Sequence, residues 1–302
     1  MSRRHVLVTG GTGQIGIELA RAGWPEDIVL HRPDRSELDL ACAQSIAAYM
    51  ASQRWSAVIN CAAWTAVDAA EDNIGAAFLA NAQGPAWLAE AAGRLGAAFI
   101  QMSTDYVFSG ELDRPYRETD AVAPVGVYGA SKLSGELAVC AALPRAVVLR
   151  TAWVVSPHRH NFLKTMLRLG AKRDCIKVVD DQLGCPTSAS DIAGALQSIV
   201  LRLLTDSAAP AGVFHFVNAG SASWHEFANA IFDIAVRAGR PRPKIVGIPT
   251  TDYPTRAARP ANSRLDTSKI TRDFGIVPRH WRTAVTEIVD EMMTAADQRT
   301  GQ

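Results

Sequence analysis

His5-Val6-Leu7-Val8-Thr9-Gly10-Gly11-Thr12-Gly13-Gln14-Ile15-Gly16 opens the chain with an apolar run and a glycine-rich turn, and Ile17-Glu18-Leu19-Ala20 continues as a helix. A short apolar run without alternation reads as a strand buried on both faces, as in a parallel sheet. Glycines let the backbone turn tightly and approach a phosphate closely. The free N–H groups and dipole of the helix behind them favour an anion. The spacing is GxxGxxG. At the head of a β/α alternation it predicts a dinucleotide cradle, with Gly10, Gly13, Gln14, Ile15 and Gly16 contacting the cofactor.

Working outward, strand-like runs recur at Val6–Val8, Ile28–Leu30, Ala57–Ile59, Ala98–Gln101 and Ala146–Leu149. Helix-like stretches such as 44–52, 74–95 and 131–140 separate them. This alternation predicts an α/β, Rossmann-like doubly wound parallel sheet with helices on both faces. Beyond residue 150 the pattern breaks into loops (156–161, 180–187, 250–265) interleaved with helices such as 224–238. The expected organisation is a dinucleotide-binding domain over 1–152 and a smaller C-terminal substrate-binding domain over 153–302, part of which returns to the first. Ligands in such sheets bind outside the strand carboxyl ends. Asn60-Cys61-Ala62-Ala63 and Met102-Ser103-Thr104 both emerge there.

Composition excludes several classes. The 302 residues carry a formal net charge of +1, with no arginine-rich block, so no nucleic-acid partner is expected. Apolar stretches are too short for a membrane span, and no hydrophobic signal region precedes Val6, so a cytoplasmic protein is expected. Five scattered cysteines (Cys42, Cys61, Cys140, Cys175, Cys185) without a CxxC pair suit free thiols rather than disulfides or a zinc site. His158-Arg159-His160 lacks an acidic or cysteine companion and reads as a surface loop. No metal ligand set is expected.

Tyr128-Gly129-Ala130-Ser131-Lys132 places a phenol and an ammonium at i and i+4, on one helix face. A phenol titrates near ~10; a neighbouring cation stabilises the phenolate and pulls that value down, as proton donation at neutral pH requires. A fall of about three pK units corresponds to roughly 4 kcal/mol. In a dinucleotide fold an acid after the second strand accepts from the ribose 2′-OH, whereas an arginine accommodates a 2′-phosphate. Here that strand runs Ile28-Val29-Leu30-His31-Arg32, which predicts NADP(H) over NAD(H), with NAD(H) still possible.

Taken together, Gly10-x-x-Gly13-x-x-Gly16, Asn60-Cys61-Ala62-Ala63, Ser103-Thr104-Asp105-Tyr106-Val107-Phe108 and Tyr128-x-x-x-Lys132 resemble the extended short-chain dehydrogenase/reductase superfamily. More closely, the chain resembles the dTDP-4-dehydrorhamnose reductases. Further matches are 63–68, 161–167, Asp181-Gln182-x-Gly184-x-Pro186-Thr187 and Arg259-Pro260-x-Asn262-Ser263-Arg264-Leu265, in the family's order. Ala152 and Val155 depart from the Ser and Tyr that relatives often carry.

The resemblance implies reduction of a 4-keto dTDP-sugar. Tyr128 is then the proton donor, Lys132 tunes it and holds the nicotinamide ribose, and Thr104 orients the carbonyl. It also implies cofactor contacts from Asp39, Leu40, Ala62, Ala63, Trp64 and Thr65. Substrate contacts would come from Val67, Thr104, Asp105, Tyr128 and Trp153, with Arg259 and Arg264 on the diphosphate. Some relatives hold Mg²⁺ between glutamates at a dimer interface. Glu18 and Glu291 match, but Ser190 stands third, which argues against a shared ion. The state expected is monomer or homodimer. Within the superfamily a 4,6-dehydratase would need an Asp-Glu pair after Thr104, where Asp105-Tyr106 stands. A nucleotide-sugar epimerase and a non-catalytic NADP-binding regulatory subunit remain as alternatives.

Overall fold

In the computed structural model, which describes residues 3–300, the N-terminal half alternates strand and helix. The elements are β1 (Arg4–Thr9), α1 (Gln14–Arg21), β2 (Ile28–His31), α2 (Ala43–Ala51), β3 (Trp55–Asn60), α3 (Val67–Asp72), α4 (Ile74–Phe78), α5 (Gly84–Arg94), β4 (Ala98–Thr104), α6 (Val127–Ala142) and β5 (Val147–Thr151). There follow β6 (Val154–Val155), α7 (Phe162–Gly170), β7 (Cys175–Val179), β8 (Leu183–Gly184), β9 (Thr187–Ser188), α8 (Ala189–Thr205) and β10 (Gly212–His215). The chain ends with β11 (Ala222–Ser223), α9 (Trp224–Arg237), β12 (Lys244–Ile248), α10 (Ser268–Phe274) and α11 (Trp281–Thr300).

Six strands form one parallel sheet in the order β10-β5-β4-β3-β1-β2. Strand periodicity explains its two covered faces. Val6, Val8, Ala57, Ile59, Ile100 and Met102 point to one side, where Leu19 of α1 and Ile192, Leu196 and Ile199 of α8 cover them. Leu7, Val58 and Phe99 point to the other, beneath Ile46 and Met50 of α2, Leu88 and Ala92 of α5 and Val139 of α6. This is the doubly wound sheet expected from the sequence. Strand order reverses between β1 and β3, and that switch point is where the glycine turn opens.

A second layer holds α7, α9, α11 and the parallel pair β7–β12, around Phe227, Ile231, Phe232, Trp281 and Val285. The chain then threads back: α8 packs on the large sheet and β10 extends it beyond β5. Both layers meet over the carboxyl ends of β1, β3 and β4.

One helical run departs from expectation. Residues 74–95 are not a single α-helix: Leu79–Gln83 form a π-helical turn between α4 and α5. Pro85 has no N–H to donate one turn back, and Gly84 lies against the Leu40 carbonyl, so the ladder slips by one residue here.

The sheet also buries an ion pair. Arg150 of β5 grips both carboxylate oxygens of Glu136 of α6 through Nε and Nη2, at 2.8 and 2.6 Å, with each side chain under 5% exposed. Removing one partner leaves a charge without solvent. Arg150→Met is therefore expected to cost about 3–5 kcal/mol in denaturant unfolding. Adding Glu136→Gln should recover much of the loss; no loss in the single variant would show that the pair does not carry stability.

Candidate active site

The glycine turn fits a dinucleotide. Gly10 is left-handed (φ 66°), and a Cβ there would stand 2.8 Å from the Ala62 amide nitrogen, so only glycine lets the turn lie against the end of β3. A Cβ on Gly16 would overlap the Gly10 carbonyl. Gly13 is the N-cap of α1 and brings no side chain to its first turn, leaving those N–H groups for an anion. Arg32 stands exposed just past β2, its Nη1 3.5 Å from the Gly11 carbonyl.

Other expected cofactor residues sit around this turn in different ways. The Gln14 side chain turns toward the second layer, where its Oε1 accepts from Ser156 Oγ and Asn161 Nδ2, both at 2.8 Å. Ile15 packs on the sheet core. Leu40 is itself core, and Asp39 closes its own loop by accepting the Ala41 N–H and pairing with Arg35 at 3.4 Å. Ala62, Ala63, Trp64 and Thr65 form the loop after β3. The sequence reading missed what holds that loop. Buried Asn81, in the π turn, accepts the Trp64 N–H at 2.8 Å and donates to the Trp64 carbonyl and to Ser131 Oγ of α6. A buried-grade polar residue ahead of Gly84-Pro85 was the available signal.

Tyr128 and Lys132 both leave α6 toward the end of β4. Lys132 is 4% exposed and donates to the Met102 carbonyl at 2.7 Å. Burial pushes its ammonium down to about 8, against the pull of Glu136 one turn on. Thr104 Oγ1 donates to Asp105 Oδ1 at 2.8 Å and accepts the Tyr106 N–H at 3.3 Å. Here the sequence expectation reverses. Burial raises the phenol above its ordinary value, only partly offset by Thr104, because Lys132 spends its hydrogen bond on the backbone. The phenol is thus held firmly protonated.

Beside this cluster opens a cleft of about 930 Å³ whose lining includes Val67, Asp68, Tyr106, Lys177, Trp224 and Arg259. Tyr106 packs edge-on against Tyr128, with ring centroids 5.4 Å apart. Trp153 adopts φ 47°, rare for a bulky residue, and stacks on Trp224 at 3.4 Å between centroids. Gly184 gives it room, since a Cβ there would overlap the indole.

Arg259 donates to Asp68 at 2.7 Å and keeps a buried Nη1 without a partner. Arg264, expected at the diphosphate, is used differently: it holds Asn262 Oδ1 at 2.8 Å and the Asp113 carbonyl, binding one loop to another. Besides Arg259, two cations that the sequence reading did not single out line the cleft, Arg173 and Lys177. Period-two alternation along β7, which places Cys175 and Lys177 on its exposed face, was their sequence signal.

The carboxylates that the resemblance offered to Mg²⁺ do not suit it. Arg21 pairs with Glu291 at 2.8 Å and lies 3.9 Å from Glu18, which also meets His158 at 3.1 Å. A guanidinium already supplies the positive charge. Among the described residues no group of three or more His, Cys, Asp or Glu could hold a metal. The 158–160 loop is more than surface: Arg159 (φ 54°) donates to the Thr12 carbonyl at 2.6 Å, clasping the glycine turn.

A family model described as RmlD substrate binding domain matches residues 4–294. A dTDP-4-dehydrorhamnose reductase from Sinorhizobium fredii is 43% identical over 286 residues, covering 94% of this chain and 96% of its own. A solved reductase from Clostridium acetobutylicum superposes with a TM-score of 0.89 at 35% identity, over 95% of this chain and 99% of that one. The Bacillus anthracis reductase, solved in complex with NADP, gives a TM-score of 0.88 at 33% identity, over 96% and 99%.

A buried ammonium opposes folding whenever it is charged. Lys132→Met is therefore expected to raise unfolding stability by roughly 1–3 kcal/mol at pH 7. The sign follows from a folded value near 8 below the ordinary 10.5: the wild type's deficit is full below pH 8 and shrinks toward pH 10.5. Thermal melts across pH 6–10 check this, and a destabilised variant at pH 7 would contradict it.

Proposed function

The chain belongs to the dTDP-4-dehydrorhamnose reductase family, and on that premise we propose that it reduces the C4 ketone of dTDP-4-dehydro-L-rhamnose to dTDP-L-rhamnose with NADPH. The observation that carries this reading is the convergence of Thr104, Tyr128 and Lys132 on the end of β4, between an uncapped glycine cradle and a cleft with a stacked tryptophan wall.

Bound at the cradle, the dinucleotide supplies the hydride. Gly10, Gly13 and Gly16 keep the turn low enough for its phosphates, and Arg32 offers a guanidinium where a 2′-phosphate would lie. The loop 62–65, held by Asn81, borders the nicotinamide side. Asp39 and Leu40 are proposed for the adenine side, through the loop Asp39 closes.

At the ketone, negative charge develops on oxygen, and the chain's own task is to meet it. Tyr128, kept protonated by its burial, transfers its proton to that oxygen. Lys132 then lies one turn away to stabilise the phenolate left behind. Thr104 fixes the carbonyl's position. The second layer holds the sugar nucleotide: Val67, Tyr106 and the Trp153–Trp224 stack offer apolar and aromatic surface, and the open Nη1 of Arg259 awaits an anionic oxygen.

The deciding assay mixes purified protein, NADPH and the 4-keto-deoxysugar nucleotide and follows nicotinamide absorbance. Consumption of NADPH with formation of dTDP-L-rhamnose is expected. No consumption alongside normal cofactor binding would favour a regulatory subunit, and stoichiometric retained NAD an epimerase. Tyr128→Phe should lower kcat by about 10²–10⁴-fold with little change in cofactor Kd, whereas Lys132→Ala should damage both. Arg32→Ala should erode the preference for NADPH over NADH in kcat/KM. Equal use of both cofactors by the wild type, unaltered in the variant, would refute that assignment.

A further inference from the structure

Thr104 has one proton and two claimants for it. Its Oγ1 donates to Asp105 Oδ1 at 2.8 Å and accepts the Tyr106 N–H at 3.3 Å. A hydroxyl that gives its proton to Asp105 cannot also donate to a substrate oxygen. Asp105 is 2% exposed, in the short turn that ends β4, and its second oxygen, Oδ2, is buried without a hydrogen-bond partner. A carboxylate kept this dry with one oxygen unsatisfied is costly when ionised.

Resting on the ketone reduction proposed above, we infer that the protonation state of Asp105 sets the direction of its hydrogen bond with Thr104, and so decides whether Thr104 can donate to the ketone. Ionised, Asp105 takes the Thr104 proton. The Thr104 proton then points inward, away from the ketone. Neutral, Asp105 donates from Oδ1 to Thr104 Oγ1, which frees the Thr104 proton for the ketone oxygen beside that of Tyr128. The two forms differ by one proton exchanged with solvent, and that proton reverses the donor between Thr104 and Asp105. A bound ketone, which offers only lone pairs, favours the neutral, outward arrangement.

The surroundings agree with a carboxyl that is readily neutral. Tyr106 on the same turn, Tyr128 on α6 and the Cys185 thiol after β8 are the titratable groups beside it, and burial raises all three, so they are uncharged near neutrality. Ser263, from the loop before α10, lies close enough to favour the ionised carboxylate, though Oδ2 itself has no hydrogen-bond partner. The guanidiniums of that same region are engaged elsewhere, Arg259 by Asp68 and Arg264 by Asn262 and the Asp113 carbonyl. Burial accordingly pushes the Asp105 carboxyl up to about 6, outweighing Thr104, Ser263 and the backbone N–H groups of Asp105 and Tyr106, which all favour the charged form. The active form is the neutral one, present below that value and lost as pH rises through it. Substrate in the cleft shifts the loss to higher pH.

The test compares kcat–pH profiles of the wild type and Asp105→Asn, whose amide donates to Thr104 at every pH. The wild type is expected to lose about tenfold in kcat per pH unit beyond an apparent value of 6 or above. The variant should lack that limb, with KM changed by less than about threefold. Retention of the wild-type limb in the variant would overturn the inference. A second arm reads Asp Cγ resonances in ¹³C-aspartate-labelled wild type and Thr104→Val without ligands. One resonance should titrate near 6 in the wild type. It should move upward in Thr104→Val, because the hydrogen bond to the charged form is gone. An Asp105 resonance titrating near 4, as an ordinary carboxylate does, would refute the inference even if Asp105→Asn failed to fold. If the wild type reduces no ketone while the resonance behaves as expected, the function reading fails and the proton switch stands.

Discussion

Across the carboxyl ends of β1, β3 and β4 runs a row of buried hydrogen bonds on which the site depends. Thr9 donates to Asn60 Oδ1, Asn60 donates to Gln101 Oε1 at 2.7 Å, and Gln101 donates to the Met102 carbonyl at 2.8 Å. The same carbonyl receives Lys132. Each of these side chains would carry a desolvation cost of about 1–3 kcal/mol if left unpaired, so the row fixes how the strand ends sit beside one another. It thereby sets the spacing between the glycine turn, the loop after β3 and the turn after β4. Lys132 is the last member of a structural row as much as a partner of the proposed proton donor. That double duty explains why its ammonium faces the backbone and leaves the phenol's burial uncompensated.

Helix α6 delivers three groups four residues apart, Tyr128, Lys132 and Glu136, and its two glycines let it approach closely enough to do so. A Cβ on Gly129 would overlap the Tyr106 carbonyl, and one on Gly135 the Asn81 carbonyl. Close approach to Tyr106 brings the phenol to Thr104; close approach to Asn81 ties the helix, through Ser131, to the loop after β3. Glu136 then needs a cation inside the protein, and Arg150 arrives from β5. The face proposed for catalysis is therefore inseparable from the packing of the helix that bears it.

What the sequence made legible was whatever rests on local pattern. Apolar periodicity located β1 to β5, and the glycine spacing located the cradle, because both reflect backbone geometry over a few residues. The pairing of Tyr128 with Lys132 on one helix was legible for the same reason. Tertiary choices were not. Nothing in the spacing of Arg259 and Arg264 says that the first faces the cleft and the second binds a neighbouring loop. Pro85 is a local cue to the π turn at 79–83, but the packing on Leu40 and α6 that accommodates it lies in no window of the sequence. The upward shift of Tyr128 needed its burial, and the positive φ of Trp153 needed the space left by Gly184.

Four buried polar atoms among the described residues lack partners: Ser103 Oγ, Asp105 Oδ2, Thr151 Oγ1 and Arg259 Nη1. Three belong to the ends of β4 and β5, where Thr104 and Thr151 stand side by side in register, and the fourth faces the cleft. Elsewhere the chain satisfies its buried polar groups at some length, with a paired Glu136–Arg150 and a capping box on α9. Unsatisfied groups confined to one end of two adjacent strands thus mark where the fold stops completing itself. Such atoms weaken the empty protein and strengthen whatever polar ligand fills the gap, because the desolvation has already occurred before the ligand arrives. A sugar nucleotide, with hydroxyls for the strand ends and an anionic diphosphate for Arg259, has the chemistry that this deficit selects.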